Sequence, residues 1–226
     1  LGESFMFSEK RTLDILETLL NIASPTGYTK NAIGYVESLI HELGYETSLT
    51  PKGNLMVSVE GKDRMITRGI SGHVDTLGLM VRSINADGTL ALTTLGGPLT
   101  PTLDGEYCDV IARSGKVYRG TVLSTSPSVH VFKDANTKAR DIDNLVVRLA
   151  YDPKVEITDS GFVKSRFLDD KASVAVMISV LETLVTQKIV PSTNLTFIFS
   201  SYEEVGHGAS WLPADITGLL AVYMGC

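Results

Sequence analysis

The chain has 226 residues, 43% of them hydrophobic, so it is long enough to bury one large core or two small ones. Its net charge is −6 and its Lys and Arg residues are dispersed, which excludes nucleic acid and an anionic membrane surface as main partners. The sequence has no long apolar run and no basic leader, which predicts a cytoplasmic protein. Its only cysteines are Cys108 and Cys226, so any metal site is expected to use His and carboxylate ligands.

The N-terminal part of the chain is predicted to form two helices and then two strands. Leucines at helical spacing indicate a helix within 8–23, and a fuller apolar stripe indicates a second helix over 31–43. A turn at 52–54 precedes an alternating strand at 55–59, and another strand runs over 65–72. This part of the chain therefore begins an α/β domain.

The second strand runs directly into His73 and Asp75. Because side chains alternate along a strand, the two residues point to the same face, and the Asp can reach the His. A carboxylate that holds an imidazole in one tautomer is typical of a His that binds a metal. The alternative is a His that is satisfied by hydrogen bonds near the end of a strand.

The middle of the chain is rich in β-strand signals. Its segments are short, alternate apolar with polar residues, are separated by turn signals, and lie at 78–84, 89–95, 107–112, 116–123 and 145–151. This pattern predicts a small β-barrel or sandwich, inserted over 77–160. Within it, the polar stretch 132–143 is either helix or loop.

Helical character returns with an acidic pair. Asp169 or Asp170 suits the N-cap of a helix over 172–185, because a carboxylate there accepts backbone N–H groups and interacts favourably with the helix dipole. Capping accounts for one Asp only. The pair is either a double acidic cap or a cap plus one carboxylate that bridges two metal ions.

A second acidic pair follows the apolar strand predicted at 194–199, and a final strand is predicted at 218–224. The neighbouring carboxylates of Glu203 and Glu204 repel each other, and a fold tolerates this when a cation or a shared proton offsets the cost. The alternative is a solvated turn with two surface acids.

Three clusters of acidic or imidazole side chains thus lie at the ends of strands or at the start of a helix, where open α/β sheets place their ligand sites. Their mixed oxygen and nitrogen donors suit Zn, Co or Mn.

The chain resembles the tetrahedral, co-catalytic metal aminopeptidases, a family of glutamyl, lysyl and deblocking aminopeptidases in which some members carry the name endoglucanase. The matching blocks occur in family order at 24–27, 53–55, 72–78, 167–171 and 203–206.

The resemblance implies a role for each of these side chains. His73 would bind one of two divalent metal ions, and Asp75 would orient it. Asp169 would bridge both ions, and Glu204 would bind the second. Glu203, held off the metals, would be the general base that takes a proton from the activated water and passes it to the leaving amine.

The resemblance also implies a fold and an assembly. A zinc-peptidase-like α/β domain, formed by 1–76 and 161–226, would be interrupted by a β-rich dimerisation domain at 77–160. Dimers would assemble into tetrahedral dodecamers that act on short peptides. The leading hypothesis is therefore a metal-dependent aminopeptidase that removes N-terminal residues through a water activated by two metal ions.

The sequence departs from the family pattern in two places. The family has an Asp ligand where this chain has Tyr223, a neutral phenol that is a poor substitute, and it has a further His ligand in a part of the peptidase domain that would follow Cys226. His41, His130 and His207 are not obvious substitutes for it. We therefore expect the gene product to continue beyond Cys226, and we expect the 226-residue chain alone to lack ordinary two-metal peptidase activity because its first metal site is incomplete.

Two other functions remain open at this point. The first is a catalytically impaired homologue that serves as an assembly or peptide-binding module. The second is an enzyme that uses the same metal centre to hydrolyse a non-peptide amide. The preferred N-terminal residue has no signature in the sequence.

Overall fold

The computed structural model describes residues 8–149, 155–157, 161, 163–164, 168–208 and 210–222. The chain divides into two compact units, one formed by the residues up to Thr76 together with those from Val155 onward, and the other by those from Leu77 to Lys154. Across these described ranges, no helix combines the length and apolarity needed to cross a membrane.

Three α-helices and twelve strands form the regular structure of the described residues. The helices are α1 (Glu9–Asn21), α2 (Lys30–Glu42) and α3 (Leu168–Thr186). The strands are β1 (Thr47–Leu49), β2 (Leu55–Val59), β3 (Asp63–His73), β4 (Gly78–Ile84), β5 (Leu90–Leu95), β6 (Tyr107–Ile111), β7 (Val117–Ser124), β8 (Leu145–Arg148), β9 (Glu156–Ile157), β10 (Val163–Lys164), β11 (Thr193–Ser200) and β12 (Ile216–Ala221). The α/β class predicted from the sequence is confirmed.

The first unit is built on a five-stranded mixed sheet in the order β1-β2-β11-β3-β12. Strand β11 pairs parallel with β3 and antiparallel with β2, and β12 pairs parallel with β3. The fully buried Phe197 and Phe199 of β11 share one core with Leu19, Ile40 and Ile178 of the three helices. The helices therefore cover the sheet face on which these alternating phenylalanines lie.

Local sequence explains where α1 begins and which face it buries. The Ser8 side chain accepts a hydrogen bond from the backbone N–H of Arg11, as an N-cap residue does. Ile15, Leu16 and Leu19 then follow helical spacing and are buried. Capping and spacing together fix the helix as the sequence predicted it.

The parallel register of β3 and β11 brings two chain segments to the same edge of the sheet. His73, at the end of β3, lies opposite Ser200, at the end of β11. The pairing continues one step further, because Val74 donates its backbone N–H to the Ser200 carbonyl at 2.9 Å. The residues that follow both strands therefore emerge side by side.

The second unit is a five-stranded antiparallel sheet in the order β4-β5-β8-β7-β6. Its core contains Leu92, Val122 and Leu145. Among its described residues β4 and β6 lie at the two edges of the sheet, so the predicted closed barrel is not confirmed.

The stretch at 132–143, for which the sequence left helix or loop open, consists of turns that lead into a 3-10 helix at Ile142–Asn144. Arg140 braces these turns by donating to Asp104 Oδ2 at 2.9 Å and to the carbonyls of Ala135 and Lys138.

Several boundaries differ from the sequence prediction. The short strand β1 was missed, because two of its three residues are exposed and it has no alternating apolar pattern. The last strand spans Ile216–Ala221 instead of 218–224, and Tyr223 lies outside the described residues, as does the end of the strand predicted at 145–151.

Candidate active site

The imidazole of His73 lies almost fully buried at the carboxyl end of β3. Its Nδ1 atom donates to the backbone carbonyl of Asp75 at 2.8 Å, and because a carbonyl only accepts, this contact assigns a hydrogen to Nδ1. Its Nε2 atom lies 3.6 Å from Asp169 Oδ1 and 3.5 Å from Glu203 Oε2. The structure therefore brings together three of the residues that the sequence singled out.

The electrostatic surroundings of His73 favour its protonated form. Burial lowers the pKa of His73, but the hydrogen bond and negative charge of Asp75 outweigh burial and raise it to about 9. The charge of Asp170 acts in the same direction. This corner of the protein thus favours a positive charge beside its carboxylates.

Asp75 is fully buried, and its carboxylate accepts hydrogen bonds from more groups than the sequence suggested. Its Oδ1 atom lies 3.4 Å from His73 Nδ1 and accepts the backbone N–H of Glu203 at 3.1 Å. Its Oδ2 atom accepts the backbone N–H of Glu204 at 3.2 Å and the Thr26 hydroxyl at 2.8 Å. The Asp75 carboxylate therefore links the end of β3, at His73, to the turn after β11 that carries Glu203 and Glu204, which we call the acidic turn.

Thr26 was not identified from the sequence as a site residue. The loop that carries it pairs with the segment after β3, because Thr26 donates its N–H to the Thr76 carbonyl and Thr76 donates its N–H to the Ser24 carbonyl. The Ser24 hydroxyl also donates to the Val74 carbonyl at 2.7 Å. The block Ser24-Pro-Thr-Gly27 has the composition of a turn, and nothing local in it shows that a hydroxyl meets Asp75.

The carboxylates of Asp169 and Asp170 have different surroundings. Both residues have non-helical backbone angles at the start of α3, and the peptide bond between them is cis. The buried Asp170 accepts the backbone N–H of His73 at 3.2 Å and interacts with Ser173 in the first helical turn. Burial raises the pKa of Asp170 to about 6 against the effect of these hydrogen bonds.

Asp169 points instead toward the His73 imidazole. Its side chain is 42% exposed, yet its Oδ1 atom is buried and has no hydrogen-bond partner among the residues described. A buried carboxylate oxygen without a hydrogen bond is unfavourable unless a nearby positive charge offsets its lost hydration. It therefore suits a bound cation or a shared proton.

Glu203 and Glu204 lie in a 3-10 turn, Glu203–Val205, that follows β11. The turn ends at Gly206, whose φ of 76° lies in the left-handed region that favours glycine. Burial raises the pKa of Glu204, and the charges of Asp75, Glu203 and Asp169 add to this effect against the opposing charge of His73. The pair is half-buried, so the simple alternative of a solvated surface turn does not describe it.

The residue types at this edge of the sheet fit a divalent cation. Several carboxylates surround a single imidazole. Asp169 Oδ1 and Glu203 Oε2 each lie within 3.6 Å of His73 Nε2. Imidazole nitrogen with carboxylate oxygen is a donor set typical of Zn, Co and Mn. In the part of the chain that the structure describes, however, no three His, Cys, Asp or Glu side chains stand as a ready metal-binding group.

Comparisons with known proteins give a consistent result. The family model described as M42 glutamyl aminopeptidase matches residues 53–154 and 147–226. A putative aminopeptidase of Bacillus subtilis, YhfE, is 40% identical over 97% of this chain and 70% of its own length. The glutamyl aminopeptidase of Lactococcus lactis is 30% identical over 46% of this chain and 29% of its own length.

Solved structures show the same fold at lower identity. The Pyrococcus horikoshii TET1 peptidase, which can assemble into a tetrahedron or a large octahedral shell, has a TM-score of 0.79 at 21% identity and covers 94% of this chain. A TET aminopeptidase from a marine sediment thaumarchaeote also has a TM-score of 0.79, at 20% identity over 88% of this chain. This chain spans 68% and 61% of those two chains.

Proposed function

Because the chain belongs to the M42 glutamyl aminopeptidase family, we propose that it is a metal-dependent aminopeptidase that removes N-terminal residues from short peptides. The observation that carries the proposal is the meeting of His73 Nε2 with Asp169 Oδ1 and Glu203 Oε2 at the carboxyl end of a parallel strand pair. The aminopeptidase relatives favour an enzyme over the alternative of an assembly or peptide-binding module.

We assign His73, Asp169 and Glu204 as the residues that would hold two divalent ions, Zn, Co or Mn, with Asp169 shared between them. Two observations support this assignment: the buried Asp169 Oδ1 has no hydrogen-bond partner among the described residues, and burial raises the pKa of Glu204. When bound, such ions supply Lewis-acid activation of water and of the peptide carbonyl.

Glu203 acts as the general base in this proposal. Its carboxylate lies 3.5 Å from His73 Nε2 and is partly exposed, so a substrate and its attacking water can approach it. It takes the proton from the attacking water and delivers it to the amine that leaves as the peptide bond breaks. Asp75 acts through its neighbours, because it orients His73 and accepts the backbone N–H groups of Glu203 and Glu204.

Peptide hydrolysis with and without metal tests the function. Protein expressed from the intact coding region is stripped of metal, reloaded with Zn or Co, and assayed on matched peptides with a free or an acetylated N-terminus. We expect turnover that depends on the metal and on the free amine. Equal cleavage of both peptides, or no cleavage of either, would contradict an aminopeptidase.

We also propose that the chain forms homo-oligomers through dimers, up to a dodecamer. The support is a fold shared with a TET peptidase that can assemble into closed shells. Light scattering coupled to size-exclusion chromatography measures the mass of the particle directly. A monomeric mass at working concentrations would contradict the proposal.

A further inference from the structure

The side chain of Asn54 joins the two ends of the acidic turn. Asn54 lies in the turn between β1 and β2 and is 1% exposed. Its Oδ1 atom accepts the backbone N–H of Ser201 at 3.1 Å and the Ser201 hydroxyl at 3.0 Å. Its Nδ2 atom donates to the Gly208 carbonyl at 3.1 Å. Because Ser201 precedes the two glutamates and Gly208 follows them, one amide side chain closes the loop that carries both.

The backbone that Asn54 holds at Gly208 lies directly against Glu203. A Cβ atom added to Gly208 would lie 2.7 Å from Ser200 Oγ and 3.1 Å from the Cα of Glu203, which leaves no room for one. A shift of Gly208 therefore moves the residue that we propose as the general base.

Asn54 is itself held firmly in its turn. Its backbone N–H donates to the Thr50 hydroxyl at 3.0 Å, and its carbonyl accepts the Thr50 N–H at 3.0 Å. The Lys52 carbonyl lies 3.1 Å from Ser201 Oγ as a second acceptor for the same single hydroxyl hydrogen that Asn54 Oδ1 accepts. The Lys52 ammonium lies 5.7 Å from the centre of the Tyr202 ring. The turn between β1 and β2 is thus a fixed support beneath the acidic turn.

We propose that Asn54 is a positioning residue for the reaction, which acts together with Asp75 to hold Glu203 and Glu204 in place. Asp75 accepts the two N–H groups inside the turn, and Asn54 binds the chain before and after it. The proposal rests on the proposed aminopeptidase function. It assigns a role to the block Gly53-Asn-Leu55, which the assigned catalytic and metal-binding residues leave unexplained.

The substitution Asn54→Asp tests the contact with Gly208 separately from the contact with Ser201. Aspartate keeps an acceptor for Ser201 but offers no donor to the Gly208 carbonyl, so two acceptors face each other. Gly208→Ala disturbs the same contact from the other side by adding the Cβ that has no room. Asn194→Asp is the matched control, because the Asn194 side chain also accepts a backbone N–H, that of Gly61, and donates to a backbone carbonyl, that of Arg64, but lies at the opposite end of β11 from the two glutamates.

Two measurements on protein expressed from the intact coding region test the proposal. Hydrogen exchange of the amides over 201–208 requires no turnover, and we expect it to be faster in Asn54→Asp and Gly208→Ala than in Asn194→Asp. With a free-amino peptide, we expect kcat to fall about 10- to 100-fold in both variants while KM changes less than about twofold. Asn194→Asp should keep its kcat within about twofold of the unmodified protein.

The two hypotheses fail in different ways. Exchange in Asn54→Asp and Gly208→Ala that matches exchange in Asn194→Asp, or a kcat in them equal to that of the unmodified protein, would overturn the role of Asn54. If the unmodified, metal-loaded protein expressed from the intact coding region cleaves no peptide, the aminopeptidase proposal is refuted, and hydrogen exchange then decides whether Asn54 holds the turn.

Discussion

The hydroxyl of Thr26 is expected to stabilise the site and the fold together, and Thr26→Val removes it with little change of shape. Thr26 is 8% exposed, and its hydroxyl is one of the donors to the fully buried Asp75 carboxylate. A hydrogen bond to a charged group contributes about 1.5 to 3 kcal/mol, and we expect Thr26→Val to lower the free energy of unfolding by about that amount. Because Asp75 also holds the N–H groups of Glu203 and Glu204, we expect peptide turnover to fall about 10- to 100-fold.

Urea unfolding and peptide kinetics of four proteins measure this effect. Thr26→Ser keeps a hydroxyl and should regain most of the stability and activity. Thr18→Val is the matched control, because that hydroxyl donates to the Asp14 carbonyl on an exposed face of α1 and should cost less than about 0.5 kcal/mol. If Thr26→Val unfolds at the same urea concentration as Thr26→Ser and turns over peptide equally fast, the assignment of Thr26 to the Asp75 network is wrong.

Two further predictions separate the general base from the metal ligands. Glu203→Gln should lower kcat by about a hundred- to ten-thousand-fold while elemental analysis finds the metal content unchanged, and loss of the metal would instead make Glu203 a ligand. Calorimetric titration of the metal-stripped chain should detect zinc or cobalt binding that the double variant His73→Ala, Glu204→Ala abolishes; equal binding by both proteins would place the metal elsewhere.

Residues close in sequence were predicted well because alternation and spacing are local. The strand at 55–59 was predicted with its observed bounds, and His73 and Asp75 do lie together. The family resemblance drawn from short blocks is confirmed by a family match over 53–154 and 147–226. The metal roles of His73, Asp169 and Glu204 stay predictions.

Contacts between distant segments could not be predicted. Alternation indicated that Asp75 reaches His73, and the Asp75 carboxylate does lie 3.4 Å from His73 Nδ1, but the same carboxylate also accepts the N–H groups of Glu203 and Glu204. That arrangement depends on the register between β3 and β11, which no local pattern contains. Closure of the second sheet also depends on the pairing of distant strands, and here the sequence prediction of a barrel was not confirmed.

The parallel pair of β3 and β11 has a consequence for the synthesis of the chain. The whole of the second unit lies between these two strands in sequence, whereas the strands of that unit lie close together along the chain. We therefore expect the second unit to fold first as the chain leaves the ribosome, since nearby segments meet sooner than distant ones. Until β11 and β12 are made, β3 lacks both of its neighbours in the sheet, so the nascent chain exposes a strand with two unpaired edges.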